Sequence, residues 1–139
     1  MKRPGEITVV DVPIRKFAGG GMRDTDKGKL DFNGFLSPIV LEAFAQYMNI
    51  HMDMPDGSRR SSDNWKNGFG EKHYDICMKS LHRHFQDAWM EHEGYESREG
   101  MMPALMGMLF NIMAYAKQYL EDESDEEYLD DTMYWRTKE

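Results

Sequence analysis

Between Arg23 and Asp31 the chain reads Arg-Asp-Thr-Asp-Lys-Gly-Lys-Leu-Asp, setting Arg23, Lys27 and Lys29 among aspartates with Gly28 between the lysines. Phosphate binding calls for guanidinium or ammonium donors and accessible backbone N–H groups, and a glycine lets the backbone approach closely. By composition alone the segment reads as a solvated loop whose charges pair among themselves; its place ahead of Ser37-Pro38 and in an ordered set with Asn64-Trp65 and Arg83-His84 makes it a phosphate-contacting strap. No G-x-x-x-x-G-K-[ST] element occurs, so a Walker-type phosphate loop is excluded. A second constellation, Asn64-Trp65-Lys66-Asn67-Gly68, puts an aromatic ring beside amides. Trp65 can stack on a base while Asn64 reads its edge, or the tryptophan plugs the end of a bundle. Arg83-His84, next to Leu81 and Phe85, offers phosphate a cation and an imidazole, or a packing histidine.

Carboxylates form the next group. Glu93, Glu96 and Glu99 crowd one loop and Glu42 stands on the polar side of an earlier helix. Such acids can hold Mg2+ or Mn2+ through oxygen ligands and activate water, or they cluster by chance in an acid-rich chain. Glu71, Asp75, Lys79, Arg83 and Asp87, at intervals of four, read as an exposed salt-bridge row. Ala104, Gly107, Asn111, Tyr115 and Gln118 make a small-and-polar stripe in an otherwise apolar helix, either a close helix contact or the floor of a pocket. A buried Asn there must be satisfied by a partner or a ligand. No serine or cysteine nucleophile arrangement is visible, and Cys77 reads as core. His82-x-His84 on a helix cannot converge on one metal.

The elements that must position these groups follow from periodicity and punctuation. Ile7-Thr-Val-Val10 is a short β-like run within Glu6 to Val12, stopped by Pro13. Gly19-Gly-Gly21 reads as a flexible join, and Met22 to Phe35 as an extended loop. Ser37-Pro38 starts a helix expected to run to about Met52, with Ser as N-cap and Pro at the first helical position. A polar loop over 56–70 precedes a helix expected from Glu71 to His92 with Tyr74, Cys77, Met78, Leu81, Phe85, Ala88 and Trp89 on one face. Pro103 opens the last helix, apolar around most of its circumference and therefore central. The like-charge run Glu121 to Glu127 reads as solvated. The expected fold is all-α: a small helical bundle of three long helices with an extended N-terminal arm (1–21), a nucleotide-binding helical domain (22–120) and an acidic C-terminal tail (121–139).

Charge narrows the partners. The net charge of −8 is concentrated: from Glu121 to Glu139 nine acids face Arg136 and Lys138, a local −7, leaving −1 for the rest. Residues 1–29 hold seven basic groups against four acids, a local +3. Such a body can hold a phosphate at one place but lacks the broad basic footprint of a duplex nucleic-acid binder. No run of about 18 apolar residues is present to span a membrane. A single cysteine suits a reducing compartment, so a cytoplasmic location is expected. The Met-rich last helix and the small size of the bundle point to a homo-oligomer, or to methionines filling an irregular monomer core.

Taken in order, Arg23-Asp24, Lys27-Gly-Lys29-Leu-Asp31, Pro38 with Leu41, Asn64-Trp65-Lys-Asn-Gly68, Ser80-Leu-His-Arg83-His84, the acidic loop Glu93 to Glu99, and Asn111 resemble the pattern of the phage-associated dATP/dGTP diphosphohydrolase-like family. That family is related in idea to the MazG-type all-α nucleotide pyrophosphatases, and the resemblance covers roughly residues 22–116. It implies metal-dependent hydrolysis of a purine (deoxy)nucleoside triphosphate to the monophosphate and pyrophosphate, in the host cytoplasm if phage-encoded. It also implies Mg2+ or Mn2+ held by Glu42, Glu96 and Glu99, which are then the catalytic candidates. Arg23, Lys27, Lys29 and Arg83, joined by His84, would contact phosphate; Asn64, Trp65 and Asn111 would contact base or sugar. The sequence departs from the pattern at Ala104 and Gly107, where the family's last helix often carries two histidines, and at Arg60-Ser61, where it often has Lys-Tyr. Those departures favour, as the alternative, a non-catalytic protein that sequesters a nucleotide or nucleotide-derived signal.

Overall fold

Three consecutive glycines make a turn here rather than a flexible join. In the computed structural model, which describes residues 14–123, β1 (Ile14–Lys16) and β2 (Met22–Asp24) pair antiparallel around Gly19–Gly21, in the register Ile14↔Asp24, Arg15↔Arg23, Lys16↔Met22. Gly20 sits at φ +90°, a conformation that favours glycine, and its N–H donates to the Phe17 carbonyl at 2.9 Å. The expected extended loop over 22–35 is thus partly regular. After β2 come a tight turn, with the Lys29 N–H on the Asp26 carbonyl at 2.9 Å, and the one-turn helix α1 (Phe32–Phe35), capped by Asp31 accepting from the Gly34 N–H at 2.8 Å. The β-like run at Glu6 to Val12 and the tail beyond Glu123 lie outside the described residues.

The chain divides into two compact units, and Ser37–Asp122 forms the one that carries the helices discussed below. α2 (Pro38–Ile50) begins at the expected N-cap, with Ser37 Oγ accepting from the Val40 N–H. It stops two residues before Met52, where His51 Nδ1 meets the Tyr47 carbonyl at 2.8 Å. The loop that follows is held by Arg59 on Asp53 (2.5 Å) and Asn49 (3.2 Å). Asn64–Asn67 and Gly70–Lys72 each form a short 3-10 turn. α3 runs His73–His92 and α4 Met101–Glu123, so the last helix starts before Pro103 and takes in the first three residues of the acidic run. The described residues are mostly helical with a small two-stranded sheet. No helix among them is long and apolar enough to cross a membrane.

The seam between α3 and α4 differs from the apolar face expected of α3. Its inward residues are His73, Cys77, Asp87 and Ala88, with Ser80 and His84 half-buried; Met78, Phe85 and Trp89 are exposed. α4 offers Ala104, Met106, Gly107, Asn111 and Ala114. Small residues let the two backbones approach; His73 and Ser80 find partners on α4, and His84 and Asp87 find theirs in the loop before it. His73 Nε2 donates to the Ala114 carbonyl at 2.9 Å, and Ser80 Oγ accepts from Asn111 Nδ2 at 3.1 Å. Hydrogen bonding, rather than side-chain hydropathy, sets the rotation of α3.

Candidate functional site

α2, the 60–69 loop, α3, Glu99 and α4 enclose a cavity of about 690 Å3, within the range of small-molecule sites. Its aromatic wall is Trp65, edge-on to Phe110 with centroids 6.0 Å apart, continued by Phe69, which stacks on His73 at 5.1 Å. The loop carrying Asn64 and Trp65 is fastened to the helices at His73, whose Nδ1 accepts the Phe69 N–H at 3.1 Å. Gly68, at φ +79°, makes the bend that this contact needs. Asn111, 4 % exposed, lines the cavity from α4; both its amide protons are engaged, one on Ser80 and one on the Gly107 carbonyl at 2.8 Å. The carbonyl can only accept, so the amide orientation is fixed.

A titratable cluster stands at the cavity wall. His84 Nδ1 contacts Glu99 Oε1 at 2.6 Å. Asp87, three residues after His84 on the same face of α3, is buried and receives Arg98 Nε at 3.2 Å and Nη2 at 2.6 Å on its two oxygens. Hydrogen bonds from Arg98, first among the causes, hold the Asp87 carboxyl below its ordinary 3.8, against the opposing effect of burial. One nitrogen of His84 and one oxygen each from Asp87 and Glu99 lie within 4.8 Å of one another. Burial raises the Tyr47 hydroxyl above its ordinary 10.0, and the nearby Glu99 charge pushes the same way. Gly107 explains how the imidazole fits: a Cβ on it would lie 2.5 Å from His84 Nδ1 and 2.6 Å from Cε1. A histidine at 107, as in the resembled pattern, would collide with His84.

Of the residues singled out from sequence, Asn64, Trp65, His84, Glu99 and Asn111 line this one cavity. Glu42 is exposed on α2, meeting Gln46 at 3.5 Å, and Glu96 is exposed in the loop before α4; neither lines the cavity nor joins Glu99. The acids expected to share a metal are therefore not brought together, and the structure groups Glu99 with His84 and Asp87 instead. Arg83 is exposed on α3 and does not line the cavity. Arg23 sits on the exposed hairpin opposite Arg15, and Lys27 and Lys29 are exposed in the turn after it; all three belong to the other unit. Arg60 is the cation on the cavity wall.

Sequence reading missed Asp87, Tyr47 and His73. Asp87 was assigned to the salt-bridge row, but residues four apart drift by about 40° per step around a helix of 3.6 residues per turn. Over the three steps within α3, from Asp75 to Asp87, the row turns by about 120°. Glu71, Asp75, Lys79 and Arg83 stay exposed while Asp87 turns inward. The spacing His84-x-x-Asp87 was the available signal. Cys77, read as core, is 1 % exposed, and burial pushes its thiol up, away from the reactive thiolate. No family model, curated protein or solved structure matches the chain, so the resemblance to the diphosphohydrolase-like family rests on its own motifs.

Proposed function

We propose that the protein binds a purine (deoxy)nucleoside triphosphate in this cavity and hydrolyses it to the monophosphate and pyrophosphate. The supporting observation is convergence: Asn64 and Trp65 from the loop, His84 from α3, Glu99 and Asn111 line one space of nucleotide size. Trp65 supplies a stacking surface, and Asn64 supplies donor and acceptor groups for a base edge. Arg60 offers a charge-assisted contact to phosphate. In the reaction a water oxygen bonds to the α-phosphorus, the bridging α–β P–O bond breaks, pyrophosphate leaves and a proton is released. A divalent cation, Mg2+ or Mn2+, would lower the pKa of that water and neutralise phosphate charge. A cytoplasmic setting agrees with this substrate and with a reduced Cys77.

One observation favours the second reading, a binder that does not cleave: Glu42 and Glu96, two of the three acids that the resemblance implies, stand off the cavity. Incubating the purified protein with each dNTP and NTP, with Mg2+ or Mn2+, and separating products by chromatography tests both. Monophosphate with pyrophosphate supports hydrolysis. Tight binding of unaltered nucleotide supports sequestration. Inorganic triphosphate with nucleoside means a different reaction class, and absence of both binding and turnover removes both readings.

A further inference from the structure

We infer that His84, Asp87 and Glu99 form a one-ion site for a first-row transition divalent ion, with Mn2+ as the probe, in preference to Mg2+. The inference rests on the cavity being the reacting site and names the position and kind of its cation. The donor set is mixed, one imidazole nitrogen with two carboxylates, gathered from α3 and the loop before α4. Mg2+ favours all-oxygen shells and keeps its waters, whereas the first-row transition ions, with Mn2+ the weakest binder among them, accept an imidazole ligand more readily. The spacing is compatible. Opposite ligands at about 2.1–2.2 Å from an ion stand roughly 4.3 Å apart, so donor atoms within 4.8 Å of one another need move only by tenths of an ångström.

Charge points the same way. Arg98 compensates one of the two carboxylates, bidentate on Asp87. Glu99 contacts His84 and also acts on Asp87 and Arg98, so one guanidinium faces two carboxylates beside the cavity. His84 Nδ1 and Glu99 Oε1 already face each other at 2.6 Å, as two donors to one ion would. Gly107 adds a steric element, since the imidazole occupies the volume a Cβ would take. The residue that departs from the histidine pattern is the one that admits His84.

The test uses the full chain without nucleotide. Mn2+ is titrated and free ion followed by electron paramagnetic resonance, with pulsed detection of nitrogen coupled to the bound ion. Wild type is expected to bind one Mn2+ per chain with a nitrogen coupling, and Mg2+ to displace it only at roughly tenfold or greater excess. His84→Gln should abolish the coupling, and both it and Glu99→Gln should weaken Mn2+ by about tenfold or more. Gly107→Ala, which keeps every ligand but displaces the ring, should also weaken binding. It carries the test, with Glu99→Gln, if His84→Gln fails to fold by circular dichroism. Unchanged Mn2+ affinity in the folded variants, an effect confined to one of them, no nitrogen coupling in wild type, or displacement by equimolar Mg2+ would each overturn the inference. Nucleotide binding is measured separately by calorimetry in chelator. Nucleotide bound with no Mn2+ site removes this inference and leaves the cavity reading, while an Mn2+ site with no nucleotide binding does the reverse.

Discussion

His73 is a buried polar side chain with both ring nitrogens committed. Nε2 carries the proton to the Ala114 carbonyl and Nδ1 accepts from Phe69, so one imidazole ties α3 to α4 and to the loop bearing Asn64 and Trp65. Replacing it by leucine keeps bulk and removes both contacts, leaving the Phe69 N–H unpaired. His73→Leu is expected to lower stability by about 1–3 kcal/mol, the usual cost of an orphaned buried donor, read from the urea midpoint. Amide exchange should rise first over residues 64–70, and nucleotide affinity should fall with it. Unchanged exchange in that loop would show that His73 does not hold it. Much of the candidate site was legible at this scale, because amides, tryptophan, histidine and glutamate announce their chemistry by type. The groups that support them were not. His73, Asp87 and Gly107 matter through what faces them across the α3–α4 seam, which no spacing within one helix records.

At the scale of elements, caps and breakers were read well. Ser37-Pro38 starts α2, and α3 ends at His92 as expected. The hairpin escaped because three glycines in a row suit a turn and a tether equally. The start of the acidic run escaped for a different reason. Carboxylates at a helix C-terminus oppose the helix dipole, yet α4 continues to Glu123. Lys117 pairs with Glu121, while Asp122 receives the Tyr74 hydroxyl from α3 and Gln118 Nε2 at 2.9 Å. The Tyr74 hydrogen bond, then that of Gln118, hold the Asp122 carboxyl below its ordinary 3.8. A carboxyl whose folded value is depressed stabilises the fold above its unfolded value and loses that contribution as the pH falls through the folded one. The melting temperature of Tyr74→Phe should therefore lie below that of wild type near neutral pH. The gap should close as the pH falls from 3.8 through the lower folded value, below which the carboxyl is protonated in both states. A gap of constant width down to strong acid would mean that Tyr74 acts by packing and not through Asp122.

At the scale of the molecule, the apolar face read from α3 is split: Cys77 and Ala88 are buried, while Met78, Phe85 and Trp89 look outward. Phe85 and Trp89 are 53 % and 52 % exposed, beside Met78, and α4 leaves Leu105 and Ile112, seven residues apart on one face, uncovered. The buried apolar residues described are Cys77, Ala88, Ala104, Met106 and Ala114, mostly small. Covering a Phe or Ile side chain contributes about 1.5–3 kcal/mol, so several exposed together give a strong reason for association. The occupant we expect is a second copy of the chain, and the charges beside the apolar strip favour it. The exposed row runs from acidic Glu71, just before α3, and Asp75 to basic Lys79 and Arg83 on it. A copy packed antiparallel across a two-fold axis therefore sets acids against bases along its length. Light scattering should then give twice the 16.3 kDa chain mass, and Phe85→Glu should return it to one chain. Raised salt should weaken the assembly through the charged row, and Asp75→Lys, which breaks the alternation, should weaken it at low salt. A single-chain mass for wild type across the micromolar range would sink the assignment, as would a dimer indifferent to both substitutions.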